Sequence, residues 1–463
     1  MDEPVPVLEP VVPQRRRRLG LVVAVLALLA VGVVGLWGLF TVVRDAQPLG
    51  GDGPRLVVVE TDGRIATTDG ADETLHARSV PGYDYQFPAW SPDGTRVAAI
   101  GQSGAFVTVD VFDADPAAGG GPTTIYKSDE RPAFYLYWAP DSRHVTFLTS
   151  EPNPDDIALR IAPADASAPA EIVRAAAPFY WDFVDPSRLI LHTGSTGSEA
   201  FLGEVDLEGD SLEHADILSG LFRAPAISGG GASRAYVTSA SDDLAGGNQL
   251  VVEARDGSIR QEVPVGGAAA FSFDPTSTTL AFIAPDRATD PPAPIPSGPL
   301  QTVDPATGEV RTLLDGNVVA FFWSPDGQTI AALDLRPADG GPGPGEARAS
   351  GARLASTASG ATGAALPPFA AEPPGIGLHL SFIDAASAAI RSERDIRVSQ
   401  LFAFQVVPYF DQYARSHRFW APDDSAIVLP LTDEDNLDHV VVIPADGSDP
   451  HEVATGWIGF WSP

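Results

Sequence analysis

From about residue 55 to residue 463 the sequence is written in short apolar runs of strand length, broken by Pro, Asp and Gly. The stretch "AWSPDGTRVAAI" (89–100) shows the unit: an apolar strand, a four-residue turn and a second apolar strand. Pro fixes φ in that turn, Asp bonds back to its own backbone, and Gly accepts positive φ. Nearly the same words return as "YWAPDSRHVTFL" (137–148), "FWSPDGQTIAAL" (322–333) and "FWAPDDSAIVLP" (419–430), and the sequence stops on "FWSP". Weaker copies sit at Trp181, Ile227 and Phe273. Six of the eight Trp fall on this one repeat position, which makes it a position and not a coincidence. The spacing is mostly 41 to 50 residues, the length of one propeller blade.

A second periodic feature counts the same units. Each should close on another hairpin, an alternating strand leading through a turn into a polar strand. Eight such hairpins can be read, from "RIATTDGADETLHARS" to "VVVIPADGSDPHEVAT", against eight opening words. The two series are offset. The first closing hairpin, from Arg64, has no opening strand before it, and the last opening strand, at Trp461, has nothing after it. A ring resolves the offset, with 456–461 as the innermost strand of a unit completed by residues 55–80. The expectation is an all-β chain: an eight-bladed β-propeller of four-stranded antiparallel blades over 55–463. Seven blades is the alternative, because the Ile227 copy is degenerate. The repeat positions Trp90, Trp138, Trp181, Phe273, Trp323, Trp420 and Trp461 are then structural, large flat side chains filling the wedge between neighbouring sheets.

The repeated W-S-P-D-G followed by an apolar strand resembles the TolB-like, WD40-like propeller repeat, over nearly all of 55–463. The resemblance implies an extracytoplasmic protein-binding module. Similar repeats also form the propellers of dipeptidyl peptidase and prolyl oligopeptidase relatives, whose chemistry resides in an α/β-hydrolase domain. No G-x-S-x-G nucleophile elbow occurs here. "SPDGT" (91–95) also misses the sialidase S-x-D-x-G-x-T-W spacing.

The polarity pattern changes in two stretches, at the N-terminus and within 336–376. Residues 1–18 are Pro-rich and acidic and close on four Arg at 15–18, reading as a short cytoplasmic tail. Residues 19–43 are 25 uncharged, mainly apolar residues, about 37 Å of helix, enough to span a hydrocarbon core of about 30 Å with some tilt. The run is too long for a cleaved signal peptide, and the Arg cluster keeps the N-terminus inside. The expectation is a single-pass signal anchor in the cell membrane, a linker over 44–54 and an extracytoplasmic propeller. A second break, 336–376, is an Ala, Gly, Pro and Ser-rich insert expected to be disordered.

Charge and chemistry narrow the classes. Lys and Arg number 29 against 61 Asp and Glu, a net charge of −32, which opposes nucleic acid and anionic lipid as partners. Cys is absent, which excludes disulfides and thiolate chemistry. No His pair has zinc spacing and no phosphate-binding Gly loop is present. Acid clusters occur at Asp155–Asp156, Asp242–Asp243 and 433–438, all between second and third strands of their units. Asp433, Asp435 and Asp438 are candidate Ca²⁺ ligands, although the loop lacks the EF-hand Gly and terminal Glu; no other cofactor is expected. The link 399–420 carries Phe402, Phe404, Tyr409, Phe410, Tyr413, Arg415 and Arg418. Exposed, these would make a partner-binding patch; buried, they would plug the central channel. The expected function is an interaction or scaffold module of the cell envelope, not an enzyme, with an unidentified envelope protein as partner. The alternative is a propeller hydrolase, lyase or glycan binder using carboxylates at the channel mouth.

Overall fold

Among the described residues, the strand after the W-x-P-D turn is buried on both faces and the outermost strand is half exposed. Val97–Ile100 and Thr329–Asp334 are buried without interruption, whereas Arg260–Val265 alternates exposed and covered residues. That gradient is what stacked, twisted sheets radiating from one axis produce. The computed structural model describes residues 54–68, 75–115, 120–152, 157–177, 179–194, 200–207, 211–214, 223–239, 248–285, 296–335 and 375–463. The expected tail and anchor (1–43), nearly all of the linker and residues 336–374 of the insert lie outside them. Among the described residues no helix is long and apolar enough to cross a membrane.

Four stretches each form their own four-stranded antiparallel sheet: 84–128, 133–176, 179–214 and 226–265. The inner strand of the last is only two residues, Ala226–Ile227, matching its degenerate opening word. The remaining strands form one continuous order of 13, because two long strands each serve two sheets. In Val310–Trp323, residues 310–314 pair back with 300–303 and Val318 with Gly298, while 318–323 pair onward with Thr329–Asp334. In His451–Trp461, residues 451–455 pair with Asp438–Pro444, while 456–461 pair with Leu56–Glu60. The register there is Leu56↔Trp461, Val57↔Phe460 and Val58↔Gly459. Gly456 sits at the corner of the second long strand, where a Cβ would run into the Val59 carbonyl. The architecture is a β-propeller.

The repeated Trp does more than fill a wedge. Four of the six indole N–H groups reach the backbone of the preceding unit's inner strand: Trp90 donates to the Phe460 carbonyl at 3.1 Å, Trp138 to Ala89 at 2.9 Å, Trp323 to Ser272 at 3.2 Å and Trp420 to Phe322 at 3.0 Å. Every acceptor is the residue just before the equivalent repeat position. The indole N–H groups of Trp181 and Trp461 are buried without a partner.

The turns interlock in the same direction. The fourth residue after the repeat position has positive φ in Gly94, Ser142, Gly231, Gly327 and Asp424, the reason Gly recurs there. The two non-Gly residues hold the previous turn with their side chains. Ser142 Oγ accepts from the Asp93 amide at 3.0 Å, and Asp424 Oδ1 from the Asp326 amide at 2.8 Å.

Trp420 and Trp461 are similarly buried, and only the first uses its N–H. Trp420→Phe should therefore lose a hydrogen bond and strand the Phe322 carbonyl, costing about 1–3 kcal/mol beyond the lost packing. Trp461→Phe should cost only the packing. Urea midpoints of the two variants check this; equal shifts would show that the indole bond contributes nothing.

Candidate functional site

The propeller axis is where inner strands converge, and the segment 400–416 occupies it. Its sequence, "QLFAFQVVPYFDQYARS", is apolar around its circumference, the mark of a helix buried on all sides. Pro408, lacking an amide N–H, breaks it into pieces: a π-helical turn Phe402–Val406, a 3₁₀ turn Val407–Tyr409 and an α-helix Phe410–Ser416.

Its side chains reach inner strands around the whole ring. Phe402 packs on Phe419, and Phe410 on Phe321 with ring centroids 5.0 Å apart. Tyr413 packs on Phe87 and Tyr135, and Tyr409 on Tyr180. Phe402, Phe410 and Tyr413 are buried, while Phe404 and Tyr409 are half-buried and packed on the same core. These residues therefore line no exposed patch. The convergence of inner strands turns the same aromatics into a plug.

An inner strand has one edge facing the axis, whose backbone groups lack a neighbouring strand and need partners. The plug supplies them. Gln412 accepts from the Trp181 amide at 3.2 Å and donates to the Trp181 carbonyl at 3.0 Å, as a paired strand would. Arg415 donates to the carbonyls of Pro225 (2.5 Å) and Phe271 (3.1 Å). His417 Nε2 lies 3.3 Å from the Phe87 carbonyl.

Two buried ion pairs fix the plug. Arg223 donates to Asp411 Oδ1 at 2.9 Å and to the Pro408 carbonyl at 3.3 Å; Asp411 Oδ2 has no hydrogen-bond partner. Asp182 accepts from the amides of Ile227 (2.9 Å) and Phe183 (2.8 Å) and from the Tyr137 hydroxyl (3.2 Å), with Arg415 Nε at 3.7 Å. Burial raises the Asp182 carboxyl above its usual range, against the pull of Arg415 and these bonds. Burial likewise pushes His417 down to about 3, against its bond to the Phe87 carbonyl, and His192 down to about 4. Sequence reasoning passed over Asp182, Arg223 and Asp411. The available signal was a charge inside an apolar run, as in "YWDFVD" and "PYFDQY".

The acidic loop at 433–438 is a turn, not a cation cage. Asp433 Oδ1 accepts from the Leu437 amide at 2.9 Å, and its Oδ2 faces His439 Nε2 at 3.0 Å. Asp438 accepts the Thr432 hydroxyl at 2.5 Å. Arg397 enters the loop and donates to the Asp433 carbonyl and to Asn436. Among the described residues no group of three or more His, Asp or Glu is arranged to hold a metal ion. Asp433, Asp435 and Asp438 are thereby corrected as ligands: the turn spends two of the three carboxylates and brings in an Arg. The acid pairs at 155–156 and 242–243 lie outside the described residues.

No family model and no curated protein matches the sequence. Among solved structures it is similar to TolB from Acinetobacter baumannii, at 13% identity over 86% of this chain and 79% of that one, with a TM-score of 0.37. It is similar to an oligogalacturonate lyase solved with manganese, at 10% identity over 88% and 86%, TM-score 0.44. It is also similar to a Mycobacterium tuberculosis puromycin-hydrolyzing peptidase, at 17% identity over 62% of this chain, TM-score 0.40; the match spans half of that protein's length. These likenesses are of fold alone, and they include enzymes as well as TolB.

Arg223→Leu should leave Asp411 charged and buried, destabilising by about 3–5 kcal/mol, whereas Arg223→Leu with Asp411→Leu should recover most of that loss. Chemical unfolding of both variants tests the pair; equal destabilisation by the single and double changes would refute it. The histidines set a pH dependence. His417 in the folded chain has a pKa below its unfolded value near 6.5, so the unfolded state binds more protons between about 3 and 6.5. Stability should fall as pH drops through that window, and the fall should be shallower in His417→Gln. Identical slopes in thermal melts from pH 7 to 4 would exclude His417 as a source.

Proposed function

We propose that this chain is an eight-bladed, TolB-like β-propeller that works as a protein-interaction or scaffold module on the outer side of the cell membrane. The 19–43 segment tethers it, with the N-terminus in the cytoplasm. The blade count rests on the strand pairings. The four separate sheets count as four blades, and the 13-strand order divides into four more. These are 270–314, 318–398, Trp420 with 426–455, and 456–461 with 56–77; Trp420 contributes a single bridge to Ile427 as an inner strand.

The observation that carries the functional reading is the plug. Axial chemistry in a propeller needs accessible, convergent acids. Here the axial carboxylates, Asp182 and Asp411, are buried and bound to Arg415 and Arg223. Recognition then falls to the connections between second and third strands. The net charge of −32 suits a basic or cation-bearing partner protein.

The test uses the full chain in its native membrane. Removal of residues 1–49 should release the propeller from the membrane fraction, and external protease should reach the propeller in intact cells. Cross-linking should recover one reproducible envelope protein, reduced in a variant lacking 336–374. Turnover of envelope glycans or peptides by the purified chain, abolished by substitution of a surface carboxylate, would overturn the interaction reading in favour of an enzyme.

A further inference from the structure

Antiparallel strands reverse direction at each connection, so the W-x-P-D turns and the loops between second and third strands lie on opposite faces. The turn-side mouth of the channel contains a small cavity of about 70 Å³. Trp90, Trp138, Trp461 and Tyr137 line it together with two arginines, Arg415 and Arg418.

The two arginines differ. Arg415 is committed to the carbonyls of Pro225 and Phe271 and to Asp182. Arg418 contributes its backbone carbonyl to the Trp461 amide at 2.8 Å. Arg418 is exposed, and the partial burial of its guanidinium holds its pKa below the ordinary arginine value. Among the described residues the neighbour that favours its charge is Tyr137, not a carboxylate. Among the described residues no carboxylate forms an ion pair with Arg418, so its charge at the cavity is open to an anion from outside the chain. Arg55 stacks on Trp90 (4.9 Å) and Arg96 on Trp138 (5.3 Å), which adds positive charge beside the mouth.

We propose that the turn-side channel mouth is a carboxylate-binding site, with Arg418 as its cationic anchor and the indoles of Trp90, Trp138 and Trp461 as its walls. A planar guanidinium matches a carboxylate with two parallel hydrogen bonds. The apolar walls exclude water and strengthen the pair. The cavity admits one compact anionic group, so the ligand enters through a terminal carboxylate, either of a free monocarboxylic acid or of a peptide C-terminus. A doubly charged anion is disfavoured because, of the two arginines lining the cavity, Arg415 is already committed and only Arg418 is left to meet it. The site lies opposite the second-to-third-strand loops and does not depend on their binding a partner.

The full-length protein in detergent is titrated at constant ionic strength while tryptophan emission is followed. The probes are propionate, a tripeptide with a free C-terminus, the same tripeptide amidated, and inorganic phosphate. Saturable changes with propionate or the free-acid peptide, but not with the amide, are expected. Propionate binding as tight as peptide binding identifies a free acid; much tighter peptide binding identifies a C-terminus. Arg418→Gln should weaken the response at least tenfold without lowering the melting temperature, and Arg418→Lys should retain part of it. Absence of saturation, equal response to the amide or to phosphate, or unchanged affinity in a folded Arg418→Gln would overturn the proposal.

Discussion

The ring stands on one seam. Leu56–Glu60 pairs with 456–461, and the seam is stitched on both sides of that ladder. The Arg55 amide donates to Ser462 Oγ across 407 residues of chain, and the Ser462 amide returns a bond to the Arg55 carbonyl at 2.7 Å. Trp90, one unit further on, donates to Phe460 and carries Arg55 on its ring face. A sheet order that closes leaves its inner and middle strands no free edge along the circumference, so it suppresses the edge pairing that threatens open β-proteins. It also requires pairing the two ends of the domain, at a large loop-closure cost that local contacts cannot offset early in folding.

Closure creates a second problem at the axis. Every inner strand turns one edge toward the same narrow channel, and those amides and carbonyls need partners where water is scarce. The 400–416 segment answers with side chains that imitate a strand, Gln412 on Trp181 and Arg415 on Pro225 and Phe271. Burying Arg223 with Asp411 and Arg415 with Asp182 adds little net stability, since desolvation offsets attraction. It ties the plug to particular strands, and so fixes its depth and rotation. The same plug removes the axial carboxylates from solvent and shifts the question of function to the loops and the turn-side mouth.

Much of the architecture could be read from residues alone. The repeat word, its turn chemistry and the recurrence of Trp are local, and local chemistry is legible without coordinates. The offset between opening words and closing hairpins is equally a property of the string, and the Leu56↔Trp461 pairing is its spatial counterpart. What the indole N–H does was not legible. Its acceptor is a carbonyl in another unit, 49 and 51 residues back for Trp138 and Trp323, 98 back for Trp420 and at the far end of the chain for Trp90.

The candidate sites separate the two kinds of knowledge most sharply. The sequence by itself determined that 399–420 is aromatic, carries Arg and breaks the blade pattern, and that 433–438 is rich in acid. Whether Phe402, Phe410 and Tyr413 meet solvent or a ring of strands depends on how many strands converge on them, which no residue type reports. Whether Asp433 and Asp438 face a cation depends on the turn that spends their oxygens and on Arg397 arriving from another strand. Periodicity and turn chemistry act between neighbours in sequence, so the sequence settled the repeat. Burial, ion pairing and axial convergence act between strands hundreds of residues apart, so only the closed ring decided the plug, the seam and the lining of the turn-side mouth.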